Sequence, residues 1–237
     1  MKTIEYKSDT RGAANHGWLN AKHTFSFANY YDPSRMHFGA LRVFNDDIVQ
    51  GGTGFGKHPH DNMEIVTLVL DGRLRHKDST GHEGVISPGE VQFMSAGTGV
   101  YHSEMNASEK EQVNLLQTWV FPKKRDIEPR YGQKKFDFEG QKNSLVEVVS
   151  PDGNAPSLTL NQDAWYHVGY FDKQTELSYE LHGSGNGVFA FVIEGQAEIA
   201  GKKLEKRDAL GVSETNDILL KVSENTRLLL IEVPMKF

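Results

Sequence analysis

The 237-residue chain contains no cysteine. This absence excludes disulfide bonds, thiolate metal sites, iron–sulfur clusters and a cysteine nucleophile. Any metal ion that the chain holds must therefore be bound by histidine, aspartate or glutamate side chains. The sequence contains ten histidines and 32 acidic residues, so suitable ligands are plentiful.

Long apolar runs are also missing. No segment approaches the roughly 18 consecutive apolar residues that a membrane-spanning helix needs. The first residues, MKTIEYKSDTRG, carry charge from the second position onward and lack the apolar core of a signal peptide. We therefore expect no membrane partner and a cytoplasmic location.

The chain has no excess of positive charge. Its 26 lysines and arginines are outnumbered by 32 acidic residues, which gives a formal net charge of -6. The overall field therefore repels nucleic acids. The single basic triplet, Lys123-Lys124-Arg125, is typical of a solvated surface. We expect no direct nucleic-acid partner.

No segment shows a long, convincing helical periodicity, and strand signals dominate instead. The stretch IVTLVL, residues 65–70, is rich in β-branched side chains and runs directly into the turn dipeptide Asp71-Gly72. Short apolar segments separated by Gly, Pro and Ser clusters continue to about residue 120. This spacing predicts an all-β fold of antiparallel barrel or sandwich type.

The strand pattern occurs twice along the chain. FVIEG at residues 191–195 repeats the pattern LVLDG at residues 68–72, an offset of 195 minus 72, or 123 residues. Such a repeat indicates two similar domains. Residues 121–144 are polar and basic, which is typical of a linker or a surface excursion. We place the domain boundary near residue 138, giving domains 1–138 and 139–237.

Two pairs of polar side chains stand at i, i+2 spacing in predicted strands. His58 and His60 form one pair, and His102 and Glu104 form the other. Side chains two residues apart lie on the same face of a strand. A single His-x-His pair arises often by chance, but two such pairs on neighbouring strands would bring three imidazoles and one carboxylate together.

This ligand set suits a first-row divalent metal. Fe(II), Mn(II), Ni(II), Co(II), Cu(II) and Zn(II) all accept imidazole and carboxylate ligands, so the spacing alone does not select one. Four protein ligands leave two positions of an octahedral ion open, which favours a catalytic or sensory site over a purely structural one. We expect one metal ion per chain. With unperturbed imidazoles of pKa near 6.5, its affinity would fall in mild acid.

The same segments resemble a known family. GTGFGKHPHDNMEIVTLVLDG is similar to the first cupin motif, and PGEVQFMSAGTGVYHSEMN is similar to the second, with Ser95 where a proline is usual. The combination of HPH with AGTGVYHSE resembles the pirin version of the cupin. Residues 17–47 extend the similarity in the form found in bacterial pirin-like quercetinases.

The resemblance implies a bicupin made of two antiparallel jelly-roll barrels. It implies iron, as Fe(II), bound in the first barrel by His58, His60, His102 and Glu104. Glu64, which matches a cupin ligand that pirins do not use, is expected to face inward behind the metal. The activity implied is oxidative ring opening of quercetin-like flavonols with O2 and release of carbon monoxide.

In such a reaction the flavonol must lose a hydroxyl proton, and Glu104 or Glu64 is the expected acceptor. Aromatic and apolar residues near the motifs would either wall a cleft for a flat substrate or belong to an ordinary core: Phe25, Phe27, Met36, Phe38 and Phe55. The alternative function is an iron-dependent, redox-sensing regulator that acts through a protein partner.

The second half of the chain lacks the paired ligands. The offset of 123 residues carries His58 and His60 onto Leu181 and Gly183, and the segment matching the second pair is ILLKVS. Domain 139–237 is therefore predicted to contain no metal ligands, and His182 is predicted to be a surface residue. The other histidines are expected to be surface or hydrogen-bonded residues, with two of them, His23 and His37, able to line the pocket: His16, His23, His37, His76, His82 and His167.

Overall fold

The computed structural model describes residues 1–152 and 156–237. Within these ranges the chain forms 22 β-strands and a single 3-10 turn, Ser8–Thr10, and it contains no α-helix. The predicted all-β class is confirmed. None of the helical structure in the described ranges has the length and apolar character to cross a bilayer.

The chain divides into two compact units. The first unit comprises Gly12–His37 and Leu41–Phe136, and the second comprises Met1–Arg11, Phe38–Ala40 and Asp137–Phe237. The first eleven residues thus belong to the unit that is built mainly from the carboxyl-terminal half. That domain 1–138 binds a metal and domain 139–237 binds none stays a prediction.

Two antiparallel sheets make up the first unit. Numbered along the whole chain, its strands are β2 (Gly12–Asn15), β3 (Leu19–His23), β4 (Leu41–Val49), β5 (Gly54–His60), β6 (Glu64–Asp71), β7 (Leu74–Asp78), β8 (Glu83–Ile86), β9 (Glu90–Ser95), β10 (Val100–Asn106), β11 (Val113–Val120) and β12 (Arg130–Lys135). Seven strands pair in the order β12-β9-β6-β11-β4-β3-β2, and four pair in the order β5-β10-β7-β8.

The second unit repeats this arrangement. Its strands are β1 (Lys2–Tyr6), β13 (Leu145–Ser150), β14 (Leu158–Thr159), β15 (Trp165–Phe171), β16 (Thr175–Glu180), β17 (Asn186–Glu194), β18 (Gln196–Ile199), β19 (Lys202–Glu205), β20 (Ala209–Ser213), β21 (Asp217–Val222) and β22 (Thr226–Pro234). The orders are β1-β20-β17-β22-β15-β13-β14 and β16-β21-β18-β19. Among the strand pairs in the described part of the chain, β13 and β14 alone run parallel.

The hydrogen-bonded sheets are open. Each of the four strand orders begins and ends at a different edge strand, so across the described ranges no sheet closes on itself. The closed jelly-roll barrel that the family resemblance implied is therefore not confirmed. Each unit instead consists of one seven-stranded and one four-stranded sheet.

Apolar side chains from both sheets of the first unit share one core. Its buried members come from β3, β4, β6 and β11 of the larger sheet and from β7 and β8 of the smaller one: Leu19, Ala21, Val49, Val69, Leu74, Ile86, Val113 and Leu115. Sheets that pack face to face hide alternate side chains in this way. The core holds the smaller sheet, which carries the histidine pairs, against a rigid support.

The predicted linker contains a strand. Residues 121–144 were expected to be a surface connection, yet Arg130–Lys135 pairs with β9 along its full length. An edge strand has one unpaired side and tolerates polar residues, which explains why the composition suggested a linker. The ring of Tyr131 in this strand stacks on His76 at 4.8 Å and on His82 at 4.9 Å. The linker prediction is therefore wrong for residues 130–135.

Candidate metal centre

Strand pairing in the smaller sheet of the first unit brings the two histidine pairs side by side. Strands β5 and β10 are antiparallel neighbours, with His58 opposite His102 and His60 opposite Val100. The ring centroids of His58 and His102 are 4.4 Å apart, and those of His60 lie 4.8 Å from each of the other two. One nitrogen from each ring lies within 4.8 Å of the other two nitrogens.

A β-bulge shapes the wall around this cluster. Between the pairs His102–His58 and Glu104–Phe55, strand β5 contains one residue more than β10. An extra residue reverses the alternation of side chains, so Phe55 and His58 both face the same cavity although they are three positions apart. The two strands approach closely at residue 54, where a Cβ atom would collide with the carbonyl oxygen of Glu104. Gly54 fits there because it has no Cβ atom.

Hydrogen bonding fixes which nitrogen His58 presents. Its Nδ1 lies 2.7 Å from the carbonyl oxygen of Gly56. A carbonyl oxygen only accepts, so Nδ1 carries the hydrogen and Nε2 keeps its lone pair. The imidazole is therefore prepared to bind a cation through Nε2.

A chain of three side chains fixes His102. Nε2 of His76 lies 3.1 Å from Oδ2 of Asp78, and Nδ1 of His76 lies 3.5 Å from Nδ1 of His102. The carboxylate of Asp78 accepts the Nε2 hydrogen of His76. Nδ1 of His76 is then an acceptor, and it faces the Nδ1–H of His102. Nε2 of His102 is then the bare nitrogen. It is buried and has no hydrogen-bond partner among the described residues.

Asp78 remains ionised in this chain. Burial opposes its charge, but hydrogen bonds from His76, Thr80 and His82 outweigh burial and lower the pKa of Asp78 to about 2. An ionised carboxylate only accepts hydrogen bonds, so it takes the Nε2 hydrogen of His76. The orphaned nitrogen of His102, held in this way, fits a metal ion.

Burial also keeps two of the clustered imidazoles neutral. Burial and the nearby His102 and His58 lower the pKa of His60 to about 4. Burial together with His58 and His76 lowers the pKa of His102 to about 3. A neutral imidazole retains the lone pair that a metal requires, so both rings are competent ligands at neutral pH.

Glu104 lies in the same cavity and is held by an amide. It is 3% exposed, and Nε2 of Gln117 lies 2.9 Å from each of its carboxylate oxygens. The indole Nε1 of Trp119 donates to Oε1 of Gln117 at 3.1 Å, which turns the amide nitrogen toward Glu104. Its carboxylate is not part of the tight three-histidine group. Only the i, i+2 spacing of Gln117 and Trp119 in strand β11 could have revealed this support from sequence.

Glu64 is not brought to this cavity. In the pairing of β6 with β11, Thr67 stands opposite Gln117, so Glu64, three residues earlier, lies on the other face of the sheet. Its carboxylate accepts a 2.6 Å hydrogen bond from Ser95. The expectation that Glu64 faces inward was wrong because residues 61–63 carry the chain from one sheet to the other, which interrupts the alternation.

The cluster opens into a cavity of about 370 Å³. Four aromatic side chains contribute to its wall, together with polar and glycine residues: Trp18, Phe27, Asn45, Asp47, Gly54, Phe55, Gly56, His58, His60, Glu104, Gln117 and Trp119. Of the five apolar residues proposed from sequence, Phe27 and Phe55 line the cavity. Phe25 and Phe38 are buried in the core.

The two histidines expected at the pocket lie elsewhere. His23 is buried behind the cavity wall, where its Nδ1 lies 2.8 Å from Oδ1 of the lining residue Asn45. His37 is exposed and packs edge-on against Phe121. Asp47, which the sequence analysis did not identify, lines the cavity instead. Burial, with Asp46 and Glu104 nearby, raises the pKa of Asp47 to about 8, so its carboxyl group is largely protonated at neutral pH.

The structure predicts that His76 controls metal affinity without touching the metal. Replacing His76 by alanine removes the acceptor that orients His102, and loss of such a supporting partner typically costs about 10- to 100-fold in affinity. Competition with a chelator measures the dissociation constant of each variant for Ni(II). His82→Ala is the matched control, since His82 also contacts Asp78 and Tyr131 but is exposed. Equal affinities for the two variants would contradict this role.

The depressed pKa values predict a low proton release on metal binding. Ordinary imidazoles, with pKa near 6.5, are mostly protonated at pH 5.5, so three of them would release close to three protons. His60 and His102, with pKa values of about 4 and 3, are already neutral at that pH. We therefore expect these two imidazoles to release almost no proton at pH 5.5, and to weaken metal binding through their own protonation only toward about pH 4.

Calorimetric titration of the metal-free protein with Ni(II), in two buffers of different ionisation enthalpy, counts these protons. A release near three protons at pH 5.5 would show that the imidazoles titrate as exposed side chains do.

Comparison with known proteins identifies both halves of the chain. The family model described as Pirin matches residues 6–120, and the model described as Quercetinase C-terminal cupin domain matches residues 147–233. These matches confirm the bicupin prediction, without the closed barrels.

Individual relatives span almost the whole chain. A protein named quercetin 2,3-dioxygenase from Escherichia coli strain K12 is 42% identical over 228 residues, covering 96% of this chain and 97% of its own length. A pirin-like protein of Caulobacter vibrioides is 39% identical over 227 residues, covering 94% of this chain and 96% of its own. The predicted similarity to quercetin 2,3-dioxygenases is confirmed.

Solved structures agree with the sequence matches. The crystal structure of YhhW from Escherichia coli superposes with a TM-score of 0.94 at 40% identity and covers 100% of both chains. The structure of the bacterial pirin YhhW in complex with nickel(II) gives a TM-score of 0.93 at 39% identity, covering 98% of this chain and 99% of that one. With its cluster of imidazoles at a cavity in the first unit, and with matches across both halves, the chain belongs to the pirin family.

Proposed function

We propose that the first unit binds one divalent transition metal ion and that the protein is a metal-dependent dioxygenase of quercetin-like flavonols. The ligands are His58, His60, His102 and Glu104. The observation that carries the proposal is the convergence of three imidazoles, with one bare nitrogen orphaned in the interior, at the wall of an aromatic cavity. The reaction opens the flavonol heterocycle with O2 and releases carbon monoxide.

The proposed native metal is Fe(II), because the motif resemblance implies iron. The nickel(II) complex of the Escherichia coli relative supports a divalent ion in this family and leaves the choice among metals to experiment. When bound, the ion supplies Lewis acidity and open coordination positions for substrate and O2. All other parts of the mechanism belong to the side chains of the cavity.

Glu104 is the proposed proton acceptor. It is one of two carboxyl groups that line the cavity, the other being Asp47. Gln117 holds both oxygens of Glu104 at 2.9 Å, so the carboxylate meets the substrate in one orientation. The flavonol hydroxyl proton passes to Glu104.

The aromatic wall selects the substrate class. Trp18, Phe27, Phe55 and Trp119 line the cavity, and Trp119 also packs edge-on against His60 at 4.7 Å. Aromatic faces bind flat ring systems and exclude water from the reacting atoms. A cavity of about 370 Å³ lies within the size range of small-molecule sites.

The test is turnover of quercetin by the metal-loaded protein. We expect O2 consumption and stoichiometric carbon monoxide over many turnovers. Glu104→Gln should lower kcat by about 100-fold or more, because the amide cannot accept a proton. It should also weaken metal binding, since the ligand charge is lost.

Glu64→Gln is the matched control, because Glu64 is equally buried but lies on the other face of its sheet. Its metal content and kcat should stay close to those of the unmodified protein. A 100-fold loss of kcat in Glu64→Gln alone would assign the proton to Glu64 instead. Two results together would favour the regulatory function over the enzymatic one. The first is a turnover rate no higher than that of the free metal ion, whichever metal is loaded. The second is a change in affinity for a protein partner when the bound metal is oxidised.

A further inference from the structure

The second unit contains a cluster of its own. Glu147, His167 and His182 each place one ligand atom within 4.8 Å of the other two. Glu147 in β13 stands directly opposite His167 in β15, and His182 follows the end of β16. None of the three occupies a position to which the internal repeat carries the histidine pairs of the first unit.

The ring of His182 is held by a hydrogen bond at its edge and by an aromatic ring stacked on its face. Its Nδ1 lies 2.8 Å from Oε2 of Glu232, a fully buried carboxylate. Glu232 also accepts hydrogen bonds from Nδ2 of Asn186 and from the backbone N–H groups of His182 and Gly183, so it acts as an acceptor toward the Nδ1 hydrogen of His182 as well. Trp165 stacks on the ring at 4.6 Å and an angle of 8°. The nitrogen left free is Nε2.

His167 is oriented through a tyrosine. The hydroxyl of Tyr179 donates to Oε2 of Glu232 at 2.8 Å, and its oxygen lies 3.4 Å from Nδ1 of His167. The hydroxyl oxygen therefore accepts from Nδ1–H, and Nε2 of His167 is the free nitrogen. That nitrogen lies 3.9 Å from Oε2 of Glu147.

Glu147 is held so that one oxygen remains available. Its Oε1 accepts a 3.0 Å hydrogen bond from the hydroxyl of Ser157, whereas Oε2 is the atom that faces His167. The side chains of Glu147 and His182 are 26% and 34% exposed, and that of His167 is 10% exposed. The cluster is thus anchored on the protein side and open toward solvent on the other.

We propose that the second unit binds a divalent transition metal ion through Nε2 of His167, Nε2 of His182 and a carboxylate oxygen of Glu147. Two imidazoles and one carboxylate on one face of an ion form a recognised ligand set that leaves further positions open. Carboxylate or hydroxyl partners behind ligating imidazoles are the usual outer support of such sites. The prediction that residues 139–237 lack metal ligands is replaced by this second centre, which is independent of the proposed activity.

The test isolates the second centre by removing the first. In the double variant His58→Ala, His102→Ala, titration with cobalt(II) should show one equivalent bound, with visible d–d absorption. Bound cobalt(II) should also quench the fluorescence of Trp165, whose ring stacks on His182. The other two tryptophans, Trp18 and Trp119, belong to the first unit.

Adding Glu147→Gln to the double variant should lower cobalt(II) affinity by at least about 10-fold. Glu180→Gln is the matched control, because Glu180 is an exposed glutamate two residues before His182 and should not change the affinity. Because Glu147 is partly exposed, we expect Glu147→Gln to leave the thermal unfolding temperature unchanged. Thermal unfolding of the same samples measures this.

Three results would overturn the proposal. The first is a folded double variant that binds no cobalt(II) below millimolar concentration. The second is a Glu147→Gln variant that binds cobalt(II) as tightly as its parent. The third is binding without quenching of Trp165, which would place the ion elsewhere. Any of these would leave the cluster as a hydrogen-bonded network around Glu232.

Discussion

Hydrogen bonds at the far nitrogens of two imidazoles determine what the first unit can bind. The Gly56 carbonyl holds the Nδ1 hydrogen of His58, and the ionised Asp78 acts through His76 on His102. Each bond leaves Nε2 with a free lone pair directed at a shared space. If Asp78 were neutral or His76 absent, His102 could present the wrong tautomer, and proximity of the rings alone would not make a metal site.

The second unit uses the same device with different residues. Behind His182, Glu232 takes the part that the Gly56 carbonyl plays behind His58. The hydroxyl of Tyr179 is hydrogen-bonded to the same carboxylate and to His167, and so connects the two. The two units therefore share a sheet architecture and a way of holding imidazoles, while the clustered side chains stand at unrelated strand positions. The first cluster opens into an aromatic cavity, whereas the second is partly exposed, so the first is the one suited to a bound organic substrate.

Local patterns in the sequence predicted those features that depend on one strand at a time. The pairs His58–His60 and His102–Glu104 follow from alternation within single strands, and the motifs around them indicated the family. Glu64 was misplaced because the chain changes sheets between His60 and Glu64. The cluster of Glu147 and His167 was missed because cross-strand register between β13 and β15, rather than spacing along the chain, brings it together. Sheet closure depends on edges that are far apart in sequence, so it could not be predicted from local patterns.

A crystal of the nickel(II)-loaded protein would show which nitrogen of each imidazole binds the metal. Diffraction data collected at the nickel absorption edge from nickel(II)-loaded crystals locate the ion by its anomalous signal. We expect a peak in the first unit about 2.0 to 2.2 Å from Nε2 of His58 and Nε2 of His102, with His60 and Glu104 also bound. Coordination through either Nδ1, or a fully occupied nickel site in the first unit that leaves His102 without a ligand bond, would contradict it.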